Sequence, residues 1–187
     1  MDDEKKRPFT IFIVGGSQGA SAINRAVMDA LSLIKKTEKM RFIHQTGSAD
    51  RQQVKMAYER ERIDAEVSDF FHDMATCYSR SDLVICRAGA TTVAELTALG
   101  KAALFIPYPF AADNHQEFNA KALVDVGAGE MVLEKKLTGK SLSSHIDRLS
   151  ADPGLLAAMA SRSKSLGKPD AAKMIVDDCY QLLKRSS

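Results

Sequence analysis

The sequence predicts an α/β fold, a doubly wound parallel sheet, on three observations. Short apolar runs alternate with stretches of helical periodicity along the chain. The runs 11–14 and 83–85 are apolar at every position, as strands buried on both faces require. Each of these runs leads into a glycine-containing turn and then a helix, the order of a βαβ unit.

Strands are expected at 9–14, 41–45, 66–68, 83–86, 102–106 and 130–132. Helices are expected at 20–35, 51–60, 73–79, 92–99, 114–126, 141–149, 155–166 and 171–183. The first strand, Phe9–Val14, stops at Gly15-Gly16, and the helix after it starts once Gly19 is passed. The second ends in His44-Gln45-Thr46-Gly47 and the third precedes Phe70-Phe71-His72-Asp73. The fourth, Leu83–Cys86, runs into Arg87-Ala88-Gly89, and the fifth ends at Ile106-Pro107. The sixth is short and followed by polar residues. Gly167-Lys168-Pro169-Asp170 separates the last two helices, with Asp170 placed to cap the second of them. Parallel crossovers are right-handed, so helices cover both faces of the sheet.

The chain has 187 residues, enough for one well-packed domain. Residues 9–187 show no internal boundary, repeat or low-complexity tract; residues 1–8, charged and closed by Pro8, look like a linker or an added start. The net charge of +2, from 26 basic and 24 acidic residues, makes no case for nucleic acid as the main partner. Cys77, Cys86 and Cys179 are odd in number and lack C-x-x-C spacing, which favours a reducing, cytoplasmic compartment over a disulfide framework or a zinc site. No apolar stretch approaches the roughly 20 residues that span a bilayer, and the N-terminus has no signal-peptide core.

Ligands of such sheets bind at the carboxyl ends of the strands, and each candidate motif follows a strand. A helix N-terminus carries unsatisfied N–H groups and the positive end of the helix dipole, so two of them in one domain point to a nucleoside-diphosphate site. The turn Gly15-Gly16-Ser17-Gln18-Gly19 lacks the ending of a P-loop and the spacing of a dinucleotide fingerprint, since Ser17 stands where a second glycine is needed. It is either a turn whose amides and Ser17 hydroxyl approach a phosphate, or a tight turn with a serine cap. No acidic residue ends the second strand to hold an NAD ribose, which disfavours a dehydrogenase.

In Arg87-Ala88-Gly89-Ala90-Thr91-Thr92-Val93-Ala94-Glu95, Gly89 permits close backbone approach and Thr91 and Thr92 supply hydroxyls and amides. Glu95 shares their helix face and is placed to accept both ribose hydroxyls. A capping box, Thr92 to Glu95, explains Glu95 equally well but leaves Arg87 and Gly89 without a reason. Asp113 reads as an N-cap, while Asn114, His115 and Gln116 offer hydrogen bonds to sugar hydroxyls or form solvated surface. Phe71 either flanks a flat base or packs under its loop. His44 and His145 read as structural or surface, and Asp177-Asp178 as a solvated helix face. No D-x-D motif is present, so no metal–diphosphate clamp is expected.

From Phe9 onward the chain resembles the C-terminal half of the MurG family of bacterial peptidoglycan glycosyltransferases. The resemblance rests on G-G-S-Q-G-A at 15–20, H-Q-T-G at 44–47, F-x-x-D-M at 70–74 and C-R-A-G-A-T-T-V-A-E at 86–95. It continues with Pro107, D-N-H-Q-x-x-N-A at 113–120 and P-D-A-A at 169–172. It implies a Rossmann-like half of a two-domain GT-B enzyme, the half that binds UDP-N-acetylglucosamine for transfer to undecaprenyl-diphospho-muramoyl-pentapeptide (lipid I). Gly15, Gly16, Ser17, Gln18 and Gly19 then lie near the diphosphate, and Arg87 and Gly89 are counted with them as donor-binding residues. The Phe71 backbone reads uracil, Ala90, Thr91 and Thr92 line phosphate and sugar, Glu95 holds the ribose, and His115 and Gln116 contact the sugar. The chemistry implied is inversion by direct displacement, with no metal and no cofactor.

The family often has Asp at His72 and Leu or a similar apolar group at Thr91. The resemblance places no catalytic residue in this stretch. It implies that an N-terminal acceptor domain, absent here, carries contact with lipid I and the membrane, so that this half is inactive alone. The whole enzyme is then peripheral on the cytoplasmic face of the inner membrane. The competing expectations are a stand-alone donor subunit of a split lipid-linked N-acetylglucosamine transferase, and a non-catalytic nucleotide-sugar-binding module.

Overall fold

The computed structural model describes residues 7–185 and, within the last helix, leaves the side chains of 172, 182, 184 and 185 aside. Of the leading segment 1–8, residues 1–6 lie outside the described residues. Arg7 contacts the domain: its guanidinium pairs with both oxygens of Asp82, at 2.9 and 2.5 Å, and Asp82 also accepts the Thr10 N–H.

The strands are β1 (Phe9–Val14), β2 (Met40–Gln45), β3 (Ala65–Ser68), β4 (Leu83–Cys86), β5 (Ala102–Phe105) and β6 (Gly129–Met131). They form one sheet in the order β3-β2-β1-β4-β5-β6, every pair parallel. The chain winds outward from β1 to β3, returns to β4 beside β1, and winds outward the other way. The order therefore reverses between β1 and β4, and the carboxyl ends of those strands flank the crevice where such sheets take ligands.

Helices α1 (Ser21–Ala30), α2 (Arg51–Glu61), α3 (Met74–Arg80), α4 (Ala90–Leu99), α5 (His115–Val124), α6 (Gly139–Ala151) and α7 (Pro153–Ser165) pack around the sheet, while α8 (Ala171–Arg185) follows with Met174, Ile175, Val176 and Tyr180 exposed. Alternation along β1 sets the two cores. Ile11 and Ile13 point to one face, where they pack with Ile23 and Val27 of α1, Val54 of α2 and Leu142 of α6. Phe12 and Val14 point to the other, with Tyr78 of α3, Leu96 of α4 and Leu123 of α5. Each fully buried side chain of this size contributes about 1.5–3 kcal/mol. No described helix is long and apolar enough to cross a membrane.

Several element ends differ from expectation, for local reasons. Helix α1 ends at Ala30 rather than 35: the chain tightens, with the Leu33 N–H bonded to the Ala30 carbonyl, and Lys36 turns left-handed at φ 55°. Helix α6 begins at Gly139 because Thr138 and Ser141 form a capping box. Helix α7 begins at Pro153 because Asp152 caps it, with proline at the first helical position. Helix α5 starts after Asn114, which is left-handed and makes no side-chain cap, so the capping role expected of Asp113 is not formed. Asp113 is itself left-handed, at φ 48°.

Candidate functional site

At the reversal between β1 and β4, two helix N-termini open into one cleft of about 510 Å³. The N-cap residue of α1 is Ala20 and that of α4 is Gly89, and no side chain caps either helix. Their first N–H groups and dipole ends therefore remain available to an anion. The cleft is lined by Gly15, Gly16, Gly19, Arg87, Gly89, Thr92 and Gln116 from the expected set. Ala20, Ser21, Ala22, Tyr108 and Glu134 also line it and were not anticipated. Two further cavities, of about 730 and 350 Å³, lie toward the amino ends of the strands, around Lys35 and Lys36 and around Asp82 and Lys101. The cleft at the carboxyl ends, intermediate in volume, is the one into which two uncapped helix N-termini open, and chemistry outweighs volume in choosing between the three.

The turn after β1 owes its shape to backbone contact. Gly16 and Gly19 have φ of 103° and 78°, and the Gly19 N–H bonds the Gly16 carbonyl at 3.1 Å. A Cβ on Gly19 would stand 1.9 Å from the Thr46 carbonyl oxygen, so the turn passes directly against the end of β2. Ser17 and Gln18 form its exposed tip, outside the lining of the cleft.

Beneath the turn lies a buried polar network. His44, fully buried, meets Asn24 Oδ1 through Nε2 at 3.0 Å and the Tyr58 hydroxyl through Nδ1 at 3.3 Å. Asn24 Nδ2 donates to the Thr46 carbonyl and to Asp50. Burial lowers the His44 pKa to about 3 against an opposing pull from Asp50, so this imidazole is neutral and holds α1 to the end of β2. That is the structural role expected of it. His145 is bonded to Glu130 at 2.8 Å, and neither residue lines the cleft.

Gln45 was not singled out from the sequence. It is 2% exposed; its Nε2 donates to the Gly16 carbonyl at 2.9 Å and its Oε1 accepts the Phe71 N–H at 2.9 Å. The Phe71 N–H is thus already engaged, and the expectation that this backbone reads a base is narrowed to its carbonyl. The Phe71 ring packs edge-on against Phe12, as packing under the loop requires.

On α4 the helix begins at Ala90, two residues earlier than expected, with Gly89 at the N-cap. The Thr92–Glu95 capping box is therefore not formed. Glu95 Oε2 instead accepts the Tyr78 hydroxyl at 2.9 Å. Ala90 and Thr91 are exposed at the helix start, and neither they nor Glu95 line the cleft itself. Glu95 and Phe71 lie on the same side of the sheet, since Tyr78 and Phe71 both pack edge-on against Phe12.

Arg87 lines the cleft, but its guanidinium is occupied by protein. It donates to the carbonyls of Ile106 and Pro107 at 3.0 and 3.1 Å, pairs with Glu134 at 2.6 Å and lies over the Tyr108 ring. Gln116 Oε1 accepts the N–H groups of Ala88 and Tyr108, which turns its amide nitrogen toward other partners. His115 is exposed, with Nδ1 near the Ala112 carbonyl at 2.8 Å. Among the described residues no three His, Cys, Asp or Glu side chains are grouped as a metal would need.

The glycosyltransferase family 28 C-terminal domain matches residues 10–175. The chain belongs to this family. It is 49% identical over 179 residues to a UDP-N-acetylglucosamine–N-acetylmuramyl-(pentapeptide) pyrophosphoryl-undecaprenol N-acetylglucosamine transferase of Trichlorobacter lovleyi, covering 95% of this chain and 47% of that protein. A transferase of the same name from Myxococcus xanthus is 44% identical over 176 residues, covering 94% and 46%. The chain thus spans about half the length of the curated relatives it matches. The crystal structure of Acinetobacter baumannii MurG superposes with a TM-score of 0.85 at 35% identity, over 95% of this chain and 53% of that one. A UDP-GlcNAc 2-epimerase from Neisseria meningitidis shares the fold alone, at 16% identity and a TM-score of 0.63 over 95% of this chain and 45% of that one. The family 28 membership accounts for the doubly wound sheet and for the order of its motifs.

Proposed function

We infer that this chain is the donor-binding half of an inverting transferase that moves N-acetylglucosamine from UDP-N-acetylglucosamine to lipid I in peptidoglycan synthesis. One observation carries the reading: the uncapped N-termini of α1 and α4 converge on a single cleft at the reversal of the sheet. The names of relatives 44–49% identical to the chain supply the sugar and the acceptor.

In this reading the diphosphate lies against the Gly15–Gly19 turn and the amides of Ala90, Thr91 and Thr92. The Ser17 hydroxyl and Gln18 reach it from the tip of the turn. Glu95 accepts the ribose hydroxyls through the oxygen that Tyr78 leaves open. The Phe71 carbonyl faces the base, and His115 and the Gln116 amide nitrogen read the sugar. Arg87 shapes the wall instead of gripping phosphate.

Transfer proceeds by direct displacement: an acceptor hydroxyl forms a bond to the anomeric carbon as the bond to the β-phosphate oxygen breaks, and the hydroxyl proton passes to a base on the acceptor side of the cleft. Negative charge grows on the departing UDP, and two fixed helix ends stabilise it without reorganising. The reading assigns this half no catalytic base and requires neither metal nor cofactor. Positioning of the acceptor belongs to a partner domain, through which contact with lipid I and the cytoplasmic face of the inner membrane is made.

The test is thermal protection of the folded domain. Millimolar UDP is expected to raise the melting temperature, and ADP and NAD to raise it less. A flat response to UDP contradicts the reading.

A further inference from the structure

We propose that Gln45 is a positioning residue that couples the phosphate end of the cleft to its base end; this rests on the donor reading above. Gln45 is the last residue of β2, and the strand registers set it between two exits. It pairs with Val14, the last residue of β1, and with Ser68, the last residue of β3. The chain leaves β1 into the glycine turn and leaves β3 into the loop that carries Phe71. One primary amide bonds both: its nitrogen donates to Gly16 and its oxygen accepts from Phe71, each at 2.9 Å. The partners fix the orientation of the amide, because a backbone carbonyl only accepts and a backbone N–H only donates.

The surrounding contacts remove slack from this link. The Thr46 N–H donates to the Ser68 carbonyl, the Gly47 N–H donates to the Asp69 carbonyl, and Gly19 lies against Thr46. A displacement of the glycine turn is therefore passed through a buried amide to the Phe71 loop. A ligand that orders one loop lowers the ordering cost of the other, which is positive coupling between the two ends. A carboxylate in place of the amide keeps the acceptor for Phe71 but has no donor for Gly16, so Gln45→Glu cuts one side of the link in a side chain of nearly the same shape.

The experiment titrates uridine into the domain by NMR, with and without saturating inorganic pyrophosphate, in the wild type, Gln45→Glu and Gln45→Leu. UDP binding is measured alongside, and folding is checked by amide dispersion. In the wild type, pyrophosphate is expected to tighten uridine binding by about fivefold or more. In both variants that factor is expected to fall to about one while the spectrum stays folded. Equal coupling in the wild type and a folded variant overturns the role of Gln45, as does UDP binding by a wild type that shows no coupling. Absence of UDP binding in the wild type overturns the donor reading and the coupling together.

Discussion

The Tyr78 hydroxyl donates a 2.9 Å hydrogen bond to Glu95 Oε2, tying α3 to the second turn of α4. The phenol is held protonated: burial raises its pKa, and the nearby Cys86 and Glu95 add to the rise. Glu95 thus has one oxygen fixed by protein, and the donor reading gives the ribose to the other. Glu95→Ala is expected to weaken UDP binding by about 1.5–3 kcal/mol, the worth of hydrogen bonds to a charged group. Tyr78→Phe, which only loosens the carboxylate, is expected to cost less. Calorimetric titration of both variants, with thermal melts to show that they fold, checks the order.

Two glycines of the cleft separate folding from binding. A Cβ at Gly19 collides with the Thr46 carbonyl at 1.9 Å, and its φ of 78° disfavours any side chain. At Gly89 a Cβ meets nothing within 4 Å, and φ is −63°. Gly19→Ala is expected to lower stability by more than about 2 kcal/mol. Gly89→Ala is expected to fold normally and to bind UDP less well, because its methyl group enters the space beside the α4 N-terminus. Urea denaturation and UDP titration of the pair read the two effects apart.

The buried His44 gives the fold a sensitivity to acid. Its folded pKa, about 3, lies below the unfolded value of 6.5, so below pH 6.5 the unfolded chain binds a proton that the folded chain refuses. Stability therefore falls as pH drops through 6.5 toward 3, with a slope from this group approaching about 1.4 kcal/mol per pH unit. Above pH 6.5 His44 contributes no slope. Urea midpoints at pH 7.5, 6.5, 5.5 and 5 are expected to show this bend, and His44→Gln is expected to flatten it. A wild-type profile flat from pH 6.5 to 5 contradicts the assignment.

Arg87 serves the wall of the cleft through a forked set of contacts to Ile106, Pro107 and Glu134. Lysine keeps the charge but not the fork. Arg87→Lys is expected to lower stability by about 1–3 kcal/mol, read as a drop in the urea midpoint. A substitution that leaves stability unchanged while abolishing UDP binding would instead put Arg87 on the phosphate.

The strand–turn–helix units around Gly15–Gly19 and Arg87–Gly89 were legible in the sequence because both signals are local: an apolar run, then residues that permit a tight turn. What could not be read is what crosses between strands. Gln45 looks like an ordinary polar strand end until register sets it between Val14 and Ser68. Asn24 looks like a polar position on α1 until His44 is found against it. Glu134 follows a short strand at the sheet edge, with no local pattern to send it toward Arg87. The Thr92–Glu95 capping box was the opposite case: the local pattern is present, but Gly89 starts the helix earlier and leaves Glu95 to Tyr78. Glycine at an N-cap carries no side chain to mark it.

The most direct test of the central claim is calorimetric titration of the folded domain with UDP-N-acetylglucosamine, with UDP-glucose and ADP as controls. Tighter binding of UDP-N-acetylglucosamine than of either control is the expected result, and it would assign both nucleotide and sugar recognition to this cleft. No binding of any uridine nucleotide by a folded sample would contradict the donor-site account.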